Sequence, residues 1–325
     1  MLLDEKTTDS SQKIVRHLVS ITNGRINLNP WSFITENDNL LFKESSCYGK
    51  IPENHWVFSS IKLPKIHKLT GKTLFLSSRN NYWHLLADEL CDLSLLTESG
   101  INLNEFNQII FENSHYNTGK QLQELFGLSR VNQVSLNKLL HVECEELFFF
   151  TGTFCLSKHA LLLVKHKIKS SLEQSSTQSV NIGKRIVVSR GSSNTRRWLN
   201  QEECMETLNS LGFKLIDPSN LSLSQQVDAF SNAEIILGPH GAGLTNIMFC
   251  NPGTKVVEIR AQEQGGEYSS ATCYEELSVI FWVEHHTFQC PSIQRKDLKG
   301  RSIEDADLVP NPKQLKQFLC ESILA

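Results

Sequence analysis

The sequence predicts an α/β protein made of two Rossmann-like, doubly wound units. Three observations lead there. Short apolar runs of strand length alternate with helix-length stretches through most of the chain, the pattern of parallel strands joined by crossover helices. The helical stretches stop repeatedly at glycine, as at Gly100, Gly127 and Gly212. Finally, 325 residues give room for two domains of about 150 residues each. The polar stretch SSLEQSSTQSVNIG at 170–183 offers a link between them. The expected organisation is a first domain over 1–175, a second over 176–310, and a C-terminal helix over 311–325.

The elements follow in order. Residues 1–70 are irregular, with apolar bursts at 31–34, 40–42 and 56–61 that read as short strands. Strands are expected at 73–77 (TLFLS), 108–112 (QIIFE), 131–136 and 146–150, and helices at 82–96, 119–126 and 158–169. In the second half, strands are expected at 185–189, 213–216, 234–237, 255–259 and 279–283. Helices are expected at 200–211 with Asn200 as N-cap, at 222–231 with a Ser222/Gln225 capping box, and at 244–250. In the tail, Leu315, Phe318, Leu319 and Ile323 form one apolar helical stripe, expected to pack back on the first domain.

Composition narrows the function. With 32 Lys+Arg against 35 Asp+Glu the formal charge is −3, which argues against nucleic acid as a partner. Nine cysteines stand singly, with no C-x-x-C pair, and read as reduced thiols. The start, MLLDEKTTDSSQK, has no apolar signal core, and no run approaches the ~20 apolar residues of a membrane span. The expectation is a cytoplasmic protein, with peripheral attachment at the inner membrane left open.

Three motifs carry chemistry. IILGPHGAGLTN at 235–246 takes a buried strand through a glycine-rich turn into a helix. Gly241 and Gly243 allow backbone N–H groups to approach a ligand, and the helix start favours an anion. It is neither a Walker A loop nor a G-x-G-x-x-G fingerprint, so an oxidoreductase reading has no support. VSRGSSNTRRWLN at 188–200 ends a second strand near the same crevice, with Arg190, Arg196 and Arg197 able to meet phosphate oxygens. In NNYWHLLADE at 80–89, Asn81 caps a helix that carries His84 and Asp88 on one face, an arrangement suited to general-base work or to an ordinary surface pair. His285-His286 resembles a metal cluster only superficially, and Asp305-Ala306-Asp307 reads as an exposed turn, so no metal site is expected.

Taken together and in order, NYWHLLADE, SRGSSNTRRWLN and LSQQVDAFSNAEIILGPHGAGLTNIMFCNPGTKVVEI closely resemble glycosyltransferase family 61, over roughly residues 73–285. The resemblance implies a GT-B fold, two Rossmann-like domains facing a cleft, and an inverting, metal-independent transfer that needs no cofactor. It implies a nucleotide-sugar donor, UDP-linked, and a glycan or other hydroxyl acceptor. A bacterial polysaccharide-assembly role, with partners in that system, fits the missing signal. Donor-binding positions carried over from the family are Arg190, Arg196, Arg197, Asn200, His240, Gly241, Ala242, Gly243, Leu244, Thr245 and Glu258, the last through the ribose. Asn81 falls on the acceptor side. Either His84 or Asp88 is the expected base, with the other in support. The rival reading is a non-catalytic nucleotide-sugar or glycan-binding module, which would need no base.

Overall fold

The structure is a computed structural model that describes residues 16–28, 31–41, 45, 62–77, 81–134, 141–152, 155–174, 182–191, 193–262, 272–294 and 305–325. The chain divides into two compact units, Met1–Ile168 and Lys169–Ala325, so the boundary falls a few residues before the expected one.

In the first unit the strands are β1 (His17–Leu28), β2 (Trp31–Ile34), β3 (His67–Phe75), β4 (Gln108–Ile110), β5 (Gln133–Val134) and β6 (His141–Thr151). They form one sheet in the order β2-β1-β6-β3-β4-β5. The β6-β3-β4-β5 pairs are parallel, as expected, but β1 runs antiparallel to both β2 and β6. The long β1 lies in the segment read as irregular. Its sequence, HLVSITNGRINL, carries no sustained apolar alternation and is buried only toward its end. The expected burst at 56–61 lies outside the described residues. Phe33, Phe75 and Phe149 anchor the core on one sheet face, with Phe33 stacked on Phe149 at 3.9 Å between centroids.

Helix α1 runs through Tyr82–His84, Leu85–Glu89 and Leu90–Glu98. The middle stretch is π-helical, with the Leu90 N–H bonded to the Leu85 carbonyl five residues back. Every residue from Leu85 to Leu96 is buried, so the helix has no solvent face over that stretch. Three of those buried residues are acids: Asp88, Glu89 and Asp92. Helices α2 (Asn117–Leu125) and α3 (Lys158–Glu173) complete the unit.

The second unit is built on five parallel strands, β7 (Arg185–Val188), β8 (Phe213–Ile216), β9 (Ile235–Pro239), β10 (Lys255–Ala261) and β11 (Glu284–Cys290). The order β8-β7-β9-β10-β11 is 2-1-3-4-5 counted from β7, a doubly wound order whose direction reverses between β7 and β9. Helices α4 (Gln201–Ser210), α5 (Leu223–Asn232) and α6 (Cys273–Phe281) connect them, with the 3-10 helix Ala242–Phe249 after β9. Residues 279–283, expected as a strand, instead end α6. The apolar run there is longer than the buried face, since Ile280 and Phe281 are buried while Val279 and Trp282 are exposed, and the strand is the more polar β11 at the sheet edge. The Ser222/Gln225 capping box forms as expected. Asn200 does not cap α4; its Nδ2 donates to the Pro310 carbonyl at 2.8 Å instead.

A short ladder, β12 (Ser292–Ile293) with β13 (Asp307–Leu308), precedes the tail helix α7 (Pro312–Phe318), which continues π-helically through Leu319–Ile323. Leu315, Leu319 and Ile323 are fully buried among Val187, Trp198, Val257 and Phe288. The apolar stripe therefore belongs to the core of the second unit, which corrects the expectation that it packs on the first. Asp305-Ala306-Asp307 is not an exposed turn either, since Ala306 and Asp307 are buried. Among the described residues no helix is long and apolar enough to cross a membrane, and the eight described cysteines form no disulfide with one another.

Candidate functional site

Open α/β sheets bind ligands beyond the strand carboxyl ends, where the strand order reverses. In the second unit that point lies between the ends of β7 and β9, and both expected loops leave from there. Arg190 follows β7. Its Nη1 donates to the His240 carbonyl at 3.2 Å, and its Nη2 donates to Ser193 Oγ at 2.7 Å and to the Thr195 carbonyl at 3.0 Å. The guanidinium lies against Gly241. A Cβ built there would fall 1.6 Å from Arg190 Nη1. Gly241 has φ 164°, extended backbone open to any residue, so the arginine rather than the turn demands glycine. The segment that follows, expected as a helix over 244–250, is a 3-10 helix over Ala242–Phe249. Leu244 and Thr245 are buried in it, which leaves Ala242 and Gly243 as its partly exposed positions.

Burial, with the Arg196 charge alongside, lowers Arg190 to about 10, so it remains a cation at neutral pH. Two guanidinium groups held near one another favour an anion between or beside them. The buried Nε atoms of both Arg190 and Arg196 lack a hydrogen-bond partner among the described residues. Arg196 adopts φ 53°, a left-handed conformation that costs a non-glycine residue about 1–3 kcal/mol. Its Nη1 lies 3.6 Å from Asp305 Oδ1. Arg197, by contrast, is committed to structure. Its Nε donates to the buried Asp307 at 3.0 Å and its backbone N–H to the same carboxylate at 2.9 Å. Asn200 is likewise engaged with Pro310 and, through Nδ2 at 3.2 Å, with Glu203.

Glu258, expected to face a ribose, has no exposed surface and both oxygens in use. Oε1 takes His240 Nδ1 in a very short hydrogen bond, and Oε2 takes His285 Nε2 at 2.9 Å. Burial pushes this carboxyl up, but the two imidazole hydrogen bonds and the charges of His240 and Arg260 outweigh it and bring it down to about 2. Glu258 is thus a carboxylate that fixes the His240 ring. Tyr274 closes the other side of that ring edge-on at 5.0 Å, and burial drives its phenol well above the ordinary range. Neither His285 nor Tyr274 was singled out from the sequence as a site residue. The one signal for His285 was its adjacency to His286, which suggested metal. Among the described residues no group of three potential ligands could hold a metal ion.

In the first unit, Asn81 caps α1 by accepting the Trp83 N–H at 2.8 Å. One turn on, His84 Nδ1 lies 2.7 Å from Asp88 Oδ2. The imidazole keeps 14% exposure while Asp88 is enclosed at 4%. The other oxygen, Asp88 Oδ1, faces the buried Arg16 at 4.0 Å. A carboxylate only accepts hydrogen bonds, so His84 Nδ1 donates and Nε2 is left with its lone pair. That nitrogen is the one able to take up a proton.

Three comparisons bear on this architecture. Over 145 residues the chain is 27% identical to the EGF domain-specific O-linked N-acetylglucosamine transferase of Gallus gallus, covering 43% of this chain and 24% of that protein. Over 80 residues it is 32% identical to the Beta-1,2-xylosyltransferase of Arabidopsis thaliana, covering 21% of this chain and 15% of that one. The matched region thus spans about a quarter or less of either relative. Among solved structures, E. coli heptosyltransferase WaaC with ADP-2-deoxy-2-fluoro heptose aligns with 77% of this chain and 99% of its own, at 10% identity and a TM-score of 0.30. Residues 82–257, more than half of the chain and the span from the His84 helix to the strand of Glu258, match the Glycosyltransferase 61 family, and the chain belongs to it.

Proposed function

We propose that the protein is a glycosyltransferase that moves a sugar from a nucleotide-sugar donor to a hydroxyl acceptor, with the donor a UDP-sugar and the acceptor a glycan. The observation that carries this reading is the pairing of Arg190 and Arg196 at the strand-order reversal, each with a buried Nε that has no hydrogen-bond partner among the described residues. A diphosphate supplies the missing acceptor atoms and charge. Arg190 and Arg196, together with the backbone at Ala242 and Gly243, hold it. His240, fixed by Glu258, borders the same turn.

The chemistry follows as one in-line displacement. The acceptor oxygen attacks the anomeric carbon as its proton passes to His84 Nε2, and the bond from that carbon to the diphosphate oxygen breaks with inversion. The resulting imidazolium is held by Asp88. The charge left on the nucleoside diphosphate is met by preorganised cations, an effect worth about 2.7–4 kcal/mol for one donor of this kind. Asp88, enclosed with His84 on one oxygen and the Arg16 charge 4.0 Å from the other, positions the base rather than replacing it. The arginines take the role a divalent cation plays elsewhere, so turnover is expected to survive EDTA; activity lost with EDTA and restored by manganese would contradict this.

The direct test is calorimetry with UDP and a panel of UDP-sugars, followed by slow donor hydrolysis in the absence of acceptor. Binding with hydrolysis supports the transferase. Binding without hydrolysis or transfer to any hydroxyl acceptor would point to a binding module, and absence of any nucleotide binding would overturn the reading.

A further inference from the structure

Arg16 is fully buried, although it stands at the edge of the least regular part of the sequence. Its guanidinium enters the first unit where α1 is π-helical. Nη1 donates to Asp92 Oδ1 at 2.6 Å, and Nη2 donates to the Ala87 carbonyl at 2.9 Å and to the Cys155 carbonyl at 2.9 Å. Nη1 also lies 3.4 Å from the Asp88 carbonyl. The π-turn is the reason these carbonyls can be reached. Widening a helix by one residue turns carbonyls away from their usual partners four residues on, and such turns persist where something else satisfies them. Arg16 does so at the two positions that immediately precede and include Asp88.

The charges point the same way. Burial opposes the Arg16 cation, yet Asp92 and Asp88 outweigh it and hold the guanidinium above its ordinary range. One buried cation thus faces two buried carboxylates. The neighbouring buried acid, Glu89, is engaged separately by Gln123 Nε2 at 3.0 Å. A proton taken by His84, hydrogen-bonded to Asp88, brings the Arg16, Asp88, Asp92 and His84 group to neutrality.

We infer that Arg16 is a positioning residue for the His84 base, holding the π-turn of α1 and the Asp88 carboxylate so that His84 donates through Nδ1 and presents Nε2. The role rests on the proposed transferase reaction, but its geometric half can be tested without turnover. Arg16 touches no reacting atom and acts on His84 through α1.

The test uses the full chain, labelled with 15N-histidine, and two variants, Arg16→Gln and Arg16→Lys. Two-bond 1H–15N spectra report the His84 tautomer, with the signal assigned from His84→Gln. The wild type is expected to carry its neutral-form proton on Nδ1. In Arg16→Gln that proton redistributes to Nε2, kcat falls at least about 10-fold, part of the about 10²–10⁴-fold a general base contributes, and UDP affinity stays unchanged. Arg16→Lys, with the charge but without the planar fork, falls between. A folded Arg16→Gln with the wild-type tautomer and kcat within twofold overturns the inference. So does a loss of kcat that tracks a fall in melting temperature with the tautomer unchanged, and so does collapse of both variants, which assigns Arg16 to stability alone. If no form of the protein transfers or hydrolyses sugar, the proposed function fails, while the tautomer still decides the role of Arg16.

Discussion

Gly241→Ala isolates the contact on which the proposed donor site depends. The new Cβ would sit 1.6 Å from Arg190 Nη1 and 2.8 Å from Cζ, so the guanidinium has to retreat about 1.8 Å to reach the 3.4 Å of an ordinary contact. The backbone at φ 164° accepts alanine without strain, so the cost falls on the arginine alone. The retreat breaks the 3.2 Å bond to the His240 carbonyl and takes Nη1 off the turn. Charge-assisted hydrogen bonds of this kind contribute about 1.5–3 kcal/mol, so UDP affinity is expected to fall about 10- to 150-fold. Arg190→Ala should cost a similar amount. Because the glycine acts through the arginine, the double variant should bind no more weakly than Arg190→Ala alone, a coupling as large as the single effect. Calorimetry at fixed salt, with melting temperature as a check on folding, measures the cycle. Wild-type affinity in Gly241→Ala, or costs that simply add, would refute the argument.

His84→Ala should lower kcat about 10²–10⁴-fold with UDP binding unchanged; near-normal turnover in the folded variant would remove His84 as the base. Glu258 titrates at about 2 in the folded chain against an ordinary 4.5, so the native state binds fewer protons than the unfolded chain between those values. The stability it contributes, about 3 kcal/mol, is present above pH 4.5 and lost as pH falls toward 2. Denaturant midpoints for Glu258→Gln across that window should lack this loss, and an unaltered profile would show that the carboxylate is not the group responsible. Leu319→Ala, which empties a fully buried position in the second unit, should destabilise by about 2–5 kcal/mol in urea titrations, whereas a surface-like change below 0.5 kcal/mol would contradict the packing of the tail.

Much of the second unit was legible because most of its strands are short, largely apolar and bounded by glycine or by a cap such as Ser222. RIVV and KVVEI have few other ways to fold. The misread segments share a cause. β1 is half polar because it is half buried, and the end of α6 has the composition of a strand because exposed Val279 and Trp282 extend the buried Ile280 and Phe281 into one apolar run. Periodicity cannot separate a buried helix turn from a buried strand of the same length. The site was legible where its chemistry lies within one motif, as in His84 and Asp88 or Arg190 and Arg196. It was hidden where partners lie far apart along the chain. Asp307 meets Arg197 across 110 positions and Arg16 meets Asp92 across 76, and no local pattern encodes either pairing.

Two of the histidine–carboxylate pairs among the described residues, His240–Glu258 and His84–Asp88, differ in character. In the second unit Glu258 is shared by His240 and His285, has no exposed surface and sits on a central strand, so it acts as a fixed anionic post for the His240 ring. Its low titration point means it stays an anion through any working pH, which suits a group that must hold a ring still. In the first unit Asp88 sits on a π-turn and serves one histidine, with an arginine at its other oxygen. There the surplus negative charge of the cluster is offset when the imidazole gains a proton. A ring held between a doubly engaged carboxylate and Tyr274 suits a fixed post, and a partly exposed ring backed by a cluster with surplus negative charge suits the proposed base. If His240→Ala reduced kcat as much as His84→Ala while leaving UDP affinity intact, this division of labour would be wrong and the base would lie in the second unit; a loss confined to UDP affinity is the outcome the geometry predicts.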